Sequence, residues 1–468
     1  MHHRAASLLP VRPVLLLIAQ MAGLGGVAGL AGCAQYEAKP VTREGIEASL
    51  ATMPPDELVK AAESLKHPLL PPVRISPDGT VTPQGAAVVA VLQNPSLKAQ
   101  RLRRGVSEAQ LLQAGILPNP QLTASMDFPV AGATEGATDA FGIGVAWDFT
   151  SLIARQALID AARHDKEAVI LDIAWQEWQV ALGAKLRATR VLWLAKQQRE
   201  LNQQTADAVA LADATQENAA LGLVTAVERD AAATLVQRRR IAALANEATL
   251  RTENALLRQA MGIPANAAVR VMDSPSAIAA PPPNEQLEKE IEQSRLDLAA
   301  LRAGYSAQEE KLRVAILNQF PRIGLGIMRS RDNSDIGSLG FGISLDLPIF
   351  DRQQGRIATE KATREQLFSE LAARTFDARA DASKAWGDLE SLSPQITESD
   401  RTVARLSDFL TSLEASRQDR LADVVIVNQA RNDLADAKVE GLRLRQQQAE
   451  LIIAVEAATG RLFGESKQ

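Results

Sequence analysis

Two hydrophobic patterns alternate along this chain. Long stretches place apolar residues at helical spacing, and four short stretches alternate apolar with small or polar residues in steps of two. A short helical pattern lies near Asp56–Lys66, and a longer one runs from Gln84 to Ala114 and stops at "LPNPQL". Two alternating stretches follow, then helix without a proline from Thr150 to Ile263. The pattern breaks at "GIPANAAVRVMDSPSAIAAPPPNE" and then restarts: helix from Glu285 to Asn318, two alternating stretches, and long helix to Leu462.

This order is an internal duplication. Pro120 corresponds to Pro321 at an offset of 201, and Phe141 to Phe341 at 200. Gly222 corresponds to Arg420, and Gly262 to Gly460, both at 198. The expected segments are therefore 1–32, an extended segment 33–83, a first repeat 84–263, a linker 264–284, a second repeat 285–463 and a tail 464–468.

Successive strand side chains point to opposite faces. In the first stretch Leu122, Ala124, Met126 and Phe128 oppose Gln121, Thr123, Ser125 and Asp127. In the second, Phe141, Ile143, Val145, Trp147 and Phe149 oppose Gly142, Gly144, Ala146 and Asp148. The third sets Ile323, Leu325 and Ile327 against Gly324 and Gly326. The fourth sets Leu339, Phe341, Ile343, Leu345 and Leu347 against Gly340, Gly342, Ser344 and Asp346. A greasy face opposite a small, polar one suits a wall between lipid and water, and about nine residues is the length of a tilted transmembrane strand. Phe141, Trp147, Phe341 and Leu345 are the expected lipid-facing residues. An open sheet edge is not tolerated in lipid, and four strands do not close a barrel, so copies must associate. Two copies supply eight strands and three supply twelve. The connections Pro129–Ala140 and Ser330–Ser338 read as hairpin loops on the outer surface.

Ser151 and Asp351 stand where a side chain caps the following helix. The first long helix, from Ser151 to about Glu217, would extend on the order of 100 Å. Its apolar stripe includes Trp178, Leu182, Leu186 and Trp193. Val236, Ala243, Leu250 and Leu257, and then Ala430, Ala437, Leu444 and Leu451, recur in steps of seven, which indicates coiled-coil packing. Glu217 and Gly222 mark one helix-tip turn, "RQDRLAD" at 417–423 marks the other, and Pro394 predicts a local kink.

Composition adds limits. Only 4% of residues are aromatic, which suits helices packed through small side chains, and a net charge of −5 without a basic patch excludes nucleic acid as a partner. Arg4 and Arg12 precede the apolar run that ends in Leu30-Ala31-Gly32-Cys33, as in a secretory signal over 1–32. Removing that signal takes the net charge from −5 to −7 and leaves His67 and His164 as the histidines. Cys33 is the one cysteine, so no disulfide or thiol pair forms. No nucleophile–base pair, phosphate loop or metal-ligand spacing is visible, so neither enzyme activity nor a cofactor is expected. His164 reads as a solvated helix residue.

The residues "NPSLKAQRLR", "AGILPNPQL" and "LDLPIFDRQQGRI", in this duplicated order, resemble the TolC-like outer-membrane efflux channel family over roughly 84–463. The resemblance implies a mainly α fold with transmembrane β: a homotrimer whose twelve-stranded barrel continues into a long α-helical coiled-coil barrel, with residues 264–284 at its equator. It implies an outer-membrane duct, extending into the periplasm, for small toxic compounds or metal cations. Its partners would be an inner-membrane pump of the RND type, a periplasmic adaptor and outer-membrane lipid. "AGILPNP" looks most like members that serve heavy-metal and cation exporters. "LAGC" is similar to a lipobox, which implies cleavage before Cys33 and a palmitate-type lipid on it. In well-known members the last tip turn carries Gly and, further on, two gate aspartates. Here Arg420 takes the Gly position, and Ile426 and Gln429 take the aspartate positions. Asp419, Arg420 and Asp423 are then the candidate periplasmic gate, since a ring of carboxylates in a narrow mouth binds cations. The alternative is a periplasmic coiled-coil structural or adaptor lipoprotein without a pore, which leaves the strand pairs without purpose.

Overall fold

A computed structural model of the chain describes residues 34–132, 136–273, 281–418 and 424–463. The chain forms two units, residues 1–51 and 52–468. The described part of the first holds helix α1 (Arg43–Leu50), which the sequence pattern did not predict. Its eight residues are too few for periodicity to register, and its signal is local. The Thr42 hydroxyl accepts from the Gly45 N–H at 3.0 Å, and Arg43 pairs with Glu47 at 2.9 Å.

The second unit begins with α2 (Pro55–Glu63), β1 (Thr80–Val81), α3 (Pro83–Gln93) and α4 (Pro95–Gly115). The hairpin β2 (Gln121–Asp127) and β3 (Ala140–Asp148) follows, then α5 (Thr150–Ala220) and α6 (Ala226–Met261). After β4 (Arg270–Val271) the order repeats as α7 (Asn284–Ser294), α8 (Leu296–Leu317), β5 (Arg322–Arg331), β6 (Gly337–Asp346), α9 (Gln354–Gln418) and α10 (Val424–Thr459). β1 and β4 pair in parallel, Thr80 with Arg270 and Val81 with Val271, which ties the proline-rich segment to the linker. The two hairpins form one antiparallel sheet in the order β2-β3-β5-β6. At 71 residues α5 spans about 105 Å. It packs against α4 and α8 as well as α6 and α10.

Two expected helices are each two helices. The pattern over Gln84–Ala114 breaks at Asn94, whose φ/ψ of −58°/121° is the extended geometry required before Pro95. The Asn94 carboxamide accepts from the Ser96 N–H at 2.9 Å and donates to the Ala260 carbonyl at 3.0 Å. The pattern over Glu285–Asn318 breaks at Arg295 (−82°/118°) with no proline present. There the guanidinium is buried, chelates Asp297 through two bonds of 3.0 and 2.7 Å, and donates to the Ala458 carbonyl at 3.0 Å. It also stacks 4.7 Å from the Trp175 ring. Each break receives the end of the long helix of its own repeat. Gly262 (φ 68°) closes α6 against Asn94, and Gly460 (φ 71°) follows α10 against Ser294 and Arg295.

The core is a belt around these breaks. Val91, Trp178, Leu182 and Ile453 cluster with Leu70, while Val89, Val191, Leu257 and Met261 form a second cluster. Ile291, Leu298, Ala378 and Ala458, then Leu287, Val455 and Phe463, repeat the arrangement around α7. His67 fastens the segment after α2 to this belt. Its Nδ1 accepts from the Leu69 and Leu70 N–H groups at 3.0 and 3.1 Å, so Nε2 carries the proton and donates to the Ala174 carbonyl at 3.2 Å. Burial lowers the pKa of His67 below its usual 6.5, opposed by Glu177 and the Ala174 carbonyl and aided by Arg101.

A Cβ on Gly262 would lie 2.7 Å from the Asn94 Cα, and the left-handed φ disfavours any side chain there. Gly262→Ala should therefore destabilise the fold by about 1–3 kcal/mol, read as a lowered denaturant midpoint at unchanged m. The depressed His67 pKa makes the unfolded chain the better proton acceptor. Stability from this contact is complete above 6.5 and falls as pH drops from 6.5 through the folded-state value. Amide exchange at Leu69 and Leu70 should accelerate across that window, and His67→Gln should abolish the pH dependence.

Candidate functional site

The sheet is two-faced as the alternation requires. On one face the rows across β2, β3, β5 and β6 read Met126–Phe141–Arg331–Gly337, Ala124–Ile143–Arg329–Leu339 and Leu122–Val145–Ile327–Phe341. Trp147–Leu325–Ile343 and Ile323–Leu345 complete it. These apolar side chains are exposed: Phe341 is 80% accessible, Ile343 71% and Leu345 57%. Phe141 is barely exposed, and Trp147 is half-buried. The Trp147 indole packs edge-on to Phe149 at 4.8 Å and donates to the Pro118 carbonyl at 2.7 Å. That bond anchors the lower end of the sheet to the turn after α4.

The opposite face is built from small groups. The position a Cβ would take on Gly142 is 2.8 Å from the Ser125 hydroxyl, and on Gly144 it is 3.0 Å from the Thr123 hydroxyl. On Gly326 such a Cβ would lie 3.2 Å from the Val145 carbonyl oxygen. Asp127, Asp148, Asp346 and Arg322 lie on this face by register, at its two ends. The edges β2 and β6 have no partner strand among the described residues, and all ten residues of β6 are exposed.

The strands pass into the helices through specific bonds. The Asp148 carboxylate accepts from the Thr150 N–H at 2.9 Å, and the Thr150 hydroxyl accepts from the Ile323 N–H at 2.5 Å. Ser151 is not the cap its position suggested. Helix α5 begins one residue earlier, and the Ser151 hydroxyl donates to the Asp148 carbonyl at 2.8 Å. The Asp351 carboxylate accepts from the Gln353 N–H at 2.8 Å, ahead of α9. The β5–β6 turn is held by Asp332, which accepts from the Ser334 and Ile336 N–H groups at 2.8 and 3.0 Å. The Thr138 N–H donates to the Asn333 carbonyl at 2.9 Å, joining the two hairpin loops.

At the far end of α5, Glu217 lies in the last turn and Gly222 takes φ 72°. The Leu223 N–H reaches the Asn218 carbonyl at 2.9 Å and the Gly222 N–H reaches Ala219 at 3.0 Å, a Schellman closure. Thr225 and Glu228 then form a capping box that starts α6. The second tip residues Asp419, Arg420 and Asp423, like Cys33, lie outside the described residues.

Between tip and belt, α5 and α10 are joined by polar rungs. Lys185 meets buried Glu456 at 2.6 Å, Arg190 meets Glu450 at 2.9 Å, Gln197 meets Gln446 at 2.8 Å and Gln204 meets the Ala435 carbonyl at 2.8 Å. The Phe463 N–H also binds Glu456, at 2.9 Å, so the buried carboxylate has two partners. Outward-facing apolar residues remain on α6 (Val227, Ile241, Leu244) and α9 (Phe368, Phe376, Phe409). His164 is surface-placed, 3.6 Å from Glu167. Among the described residues no three His, Cys, Asp or Glu side chains group as a metal site. No described helix is long and apolar enough to cross a membrane.

One feature of the wall escaped the alternation. β5 continues to Arg331, into the loop expected over Ser330–Ser338, and carries Arg329 and Arg331 onto the apolar face. The parity of Ile323, Leu325 and Ile327 continues through both arginines.

Residues 287–461 match the family profile of outer membrane efflux proteins. The cobalt-zinc-cadmium resistance protein CzcC of Cupriavidus metallidurans is 24% identical over 281 residues, which span 60% of this chain and 66% of CzcC, just under two thirds. The fold superposes on that of CusC, whose structures describe folding and transmembrane channel formation. Its TM-score is 0.66 and its identity 16%, covering 86% of this chain and 99% of CusC. The outer membrane protein VceC of Vibrio cholerae gives a TM-score of 0.65 at 16% identity, covering 81% and 96%.

The two faces make opposite forecasts for one charge. Ile343→Lys sets an ammonium on the exposed apolar face, which would cost about 2–4 kcal/mol if that face meets lipid. Gly342→Lys sets it on the other face, where a Cβ meets nothing within 4 Å. Membrane-fraction yield of the folded protein should drop for Ile343→Lys and hold for Gly342→Lys.

Proposed function

We propose that this chain, which belongs to the TolC-like outer membrane efflux proteins, is the outer-membrane duct of a tripartite efflux pump and exports metal cations. The observation that carries the proposal is the four-stranded sheet with one exposed apolar face, one face of Gly, Ser, Thr and Asp, and two edges without a partner strand among the described residues. Such a sheet is unsatisfied in lipid until its edges find partners. Three copies then close twelve strands, and the outward apolar residues of α6 and α9 become contacts between copies. The duct does no chemistry; energy comes from an inner-membrane pump of the RND type, coupled through a periplasmic adaptor. The CzcC likeness supports cobalt, zinc or cadmium as cargo.

In the same proposal, residues 1–32 are a signal peptide and Cys33 carries the lipid. The tips at Glu217–Gly222 and Asp419–Asp423 line the periplasmic entrance. Asp419 and Asp423, repeated by threefold symmetry, bind cations there, with Arg420 beside them. Phe141, Trp147, Phe341 and Leu345 meet lipid, while Gly142, Gly144 and Ser344 line water. A poreless adaptor accounts for the helices alone and leaves the sheet without a role.

Purified mature protein should conduct in planar bilayers and run as a heat-sensitive oligomer on a gel of unheated sample. Absence of conductance together with a monomeric, heat-insensitive band would sink the channel assignment. Alanine at both Asp419 and Asp423 should weaken block by divalent cations, and unaltered block removes those residues from the gate.

A further inference from the structure

Arg329 is out of place on its face. The bilayer-side residues of β5 run Ile323, Leu325, Ile327 and then Arg329 and Arg331. Arg329 is exposed and flanked across the strands by Ile143 and Leu339, and its guanidinium has no ion-pair or hydrogen-bond partner among the described residues. Arg331, one row nearer the loop, is flanked by Phe141 and Gly337 and pairs with Asp335. Burial of a lone guanidinium in hydrocarbon is costly, so a charge on this face needs an anionic partner at the same height.

The register gives that height. Phe149 donates its N–H to the Ile323 carbonyl, so Ile323, Phe149 and Trp147 mark the inner, aromatic end. Six residues separate Ile323 from Arg329, about 20 Å along the strand and about 15 Å in height at a tilt near 40°. The outward apolar band of such barrels is about 25 Å tall. The flexible stem of Arg329 adds several ångströms and carries its guanidinium toward the outer interface. Arg331 lies about 7 Å further along the strand and extends the basic strip toward the loop.

We propose that Arg329, backed by Arg331, is a docking site on the outside of the barrel for the phosphate of an outer-leaflet lipid headgroup. The planar guanidinium fork matches phosphate oxygens in a bidentate fashion, and Ile143, Leu339 and Phe341 receive the acyl chains below. Threefold symmetry places one such site on each copy. The proposal rests on the membrane assignment of the sheet.

The test uses the full-length protein in detergent with three probes: lipid A, which carries two phosphates on a glucosamine disaccharide; its dephosphorylated form; and inorganic phosphate. Native mass spectrometry counts bound lipid, and gels report the temperature at which the oligomer dissociates. Lipid A should bind and raise that temperature, and the dephosphorylated form should do neither. Arg329→Gln should weaken lipid A binding about tenfold or more, as loss of a charge-assisted pair requires, and Arg329→Lys should weaken it less. Equal lipid A binding by Arg329→Gln would overturn the proposal. So would inorganic phosphate competing at the affinity of the lipid, which would make the site one for free anions. Conductance and the heat-sensitive oligomer are read on the same samples. Their absence in the unaltered protein defeats the channel assignment and this proposal with it. Their presence alongside unchanged lipid binding in the variant defeats this proposal alone.

Discussion

Backbone hydrogen bonding governs this structure. Among the described residues, β2 and β6 each present one row of N–H and C=O groups with no strand beside them. In water such an edge is tolerable; in hydrocarbon each unsatisfied group costs several kcal/mol. Phe341, Ile343 and Leu345 are exposed on the face that a soluble sheet would bury, which is the composition a lipid-facing wall requires. In the proposed duct, closure by identical copies would answer both demands at once, pairing every edge and setting the greasy face outward and the small-residue face inward.

The helical part repeats its element order as the hairpins do. Each repeat ends its last helix on a left-handed glycine seated against a break between two shorter helices, Gly262 at Asn94 and Gly460 at Arg295. The two breaks use different chemistry. Pro95 forces the first, while a buried guanidinium shared among Asp297, the Ala458 carbonyl and the Trp175 face holds the second. Polar rungs such as Lys185–Glu456 and Gln197–Gln446 then join the repeats along α5 and α10. Outside the belt most of α9 is exposed, as a surface kept for another copy would be.

Much of this was legible in the residues. Strict alternation located all four strands, because parity survives whatever surrounds the sheet. The offsets of Phe141 with Phe341 and Gly262 with Gly460 exposed the duplication. Features held by single contacts escaped. Helix α1 rests on one cap and one ion pair, the break at Arg295 rests on a buried side chain, and the Ser151 hydroxyl, expected to cap its helix, donates to the Asp148 carbonyl instead. The end of β5 was misplaced: the loop expected from Ser330 begins after Arg331, because the pairing of Arg331 with Phe141 and Gly337 continues the ladder. Asp419, Arg420, Asp423 and Cys33 lie outside the described residues.

Edge closure is tested most directly by cysteine pairs, one on β2 and one on β6, introduced together and oxidised in intact cells. A scan that combines Thr123→Cys with successive positions from Gly340 to Asp346 covers the registers open to the two strands. The account predicts that at least one pairing yields covalent dimers and trimers, with no larger product. Products confined to the monomer at every register, or a ladder that continues past three copies, would contradict it.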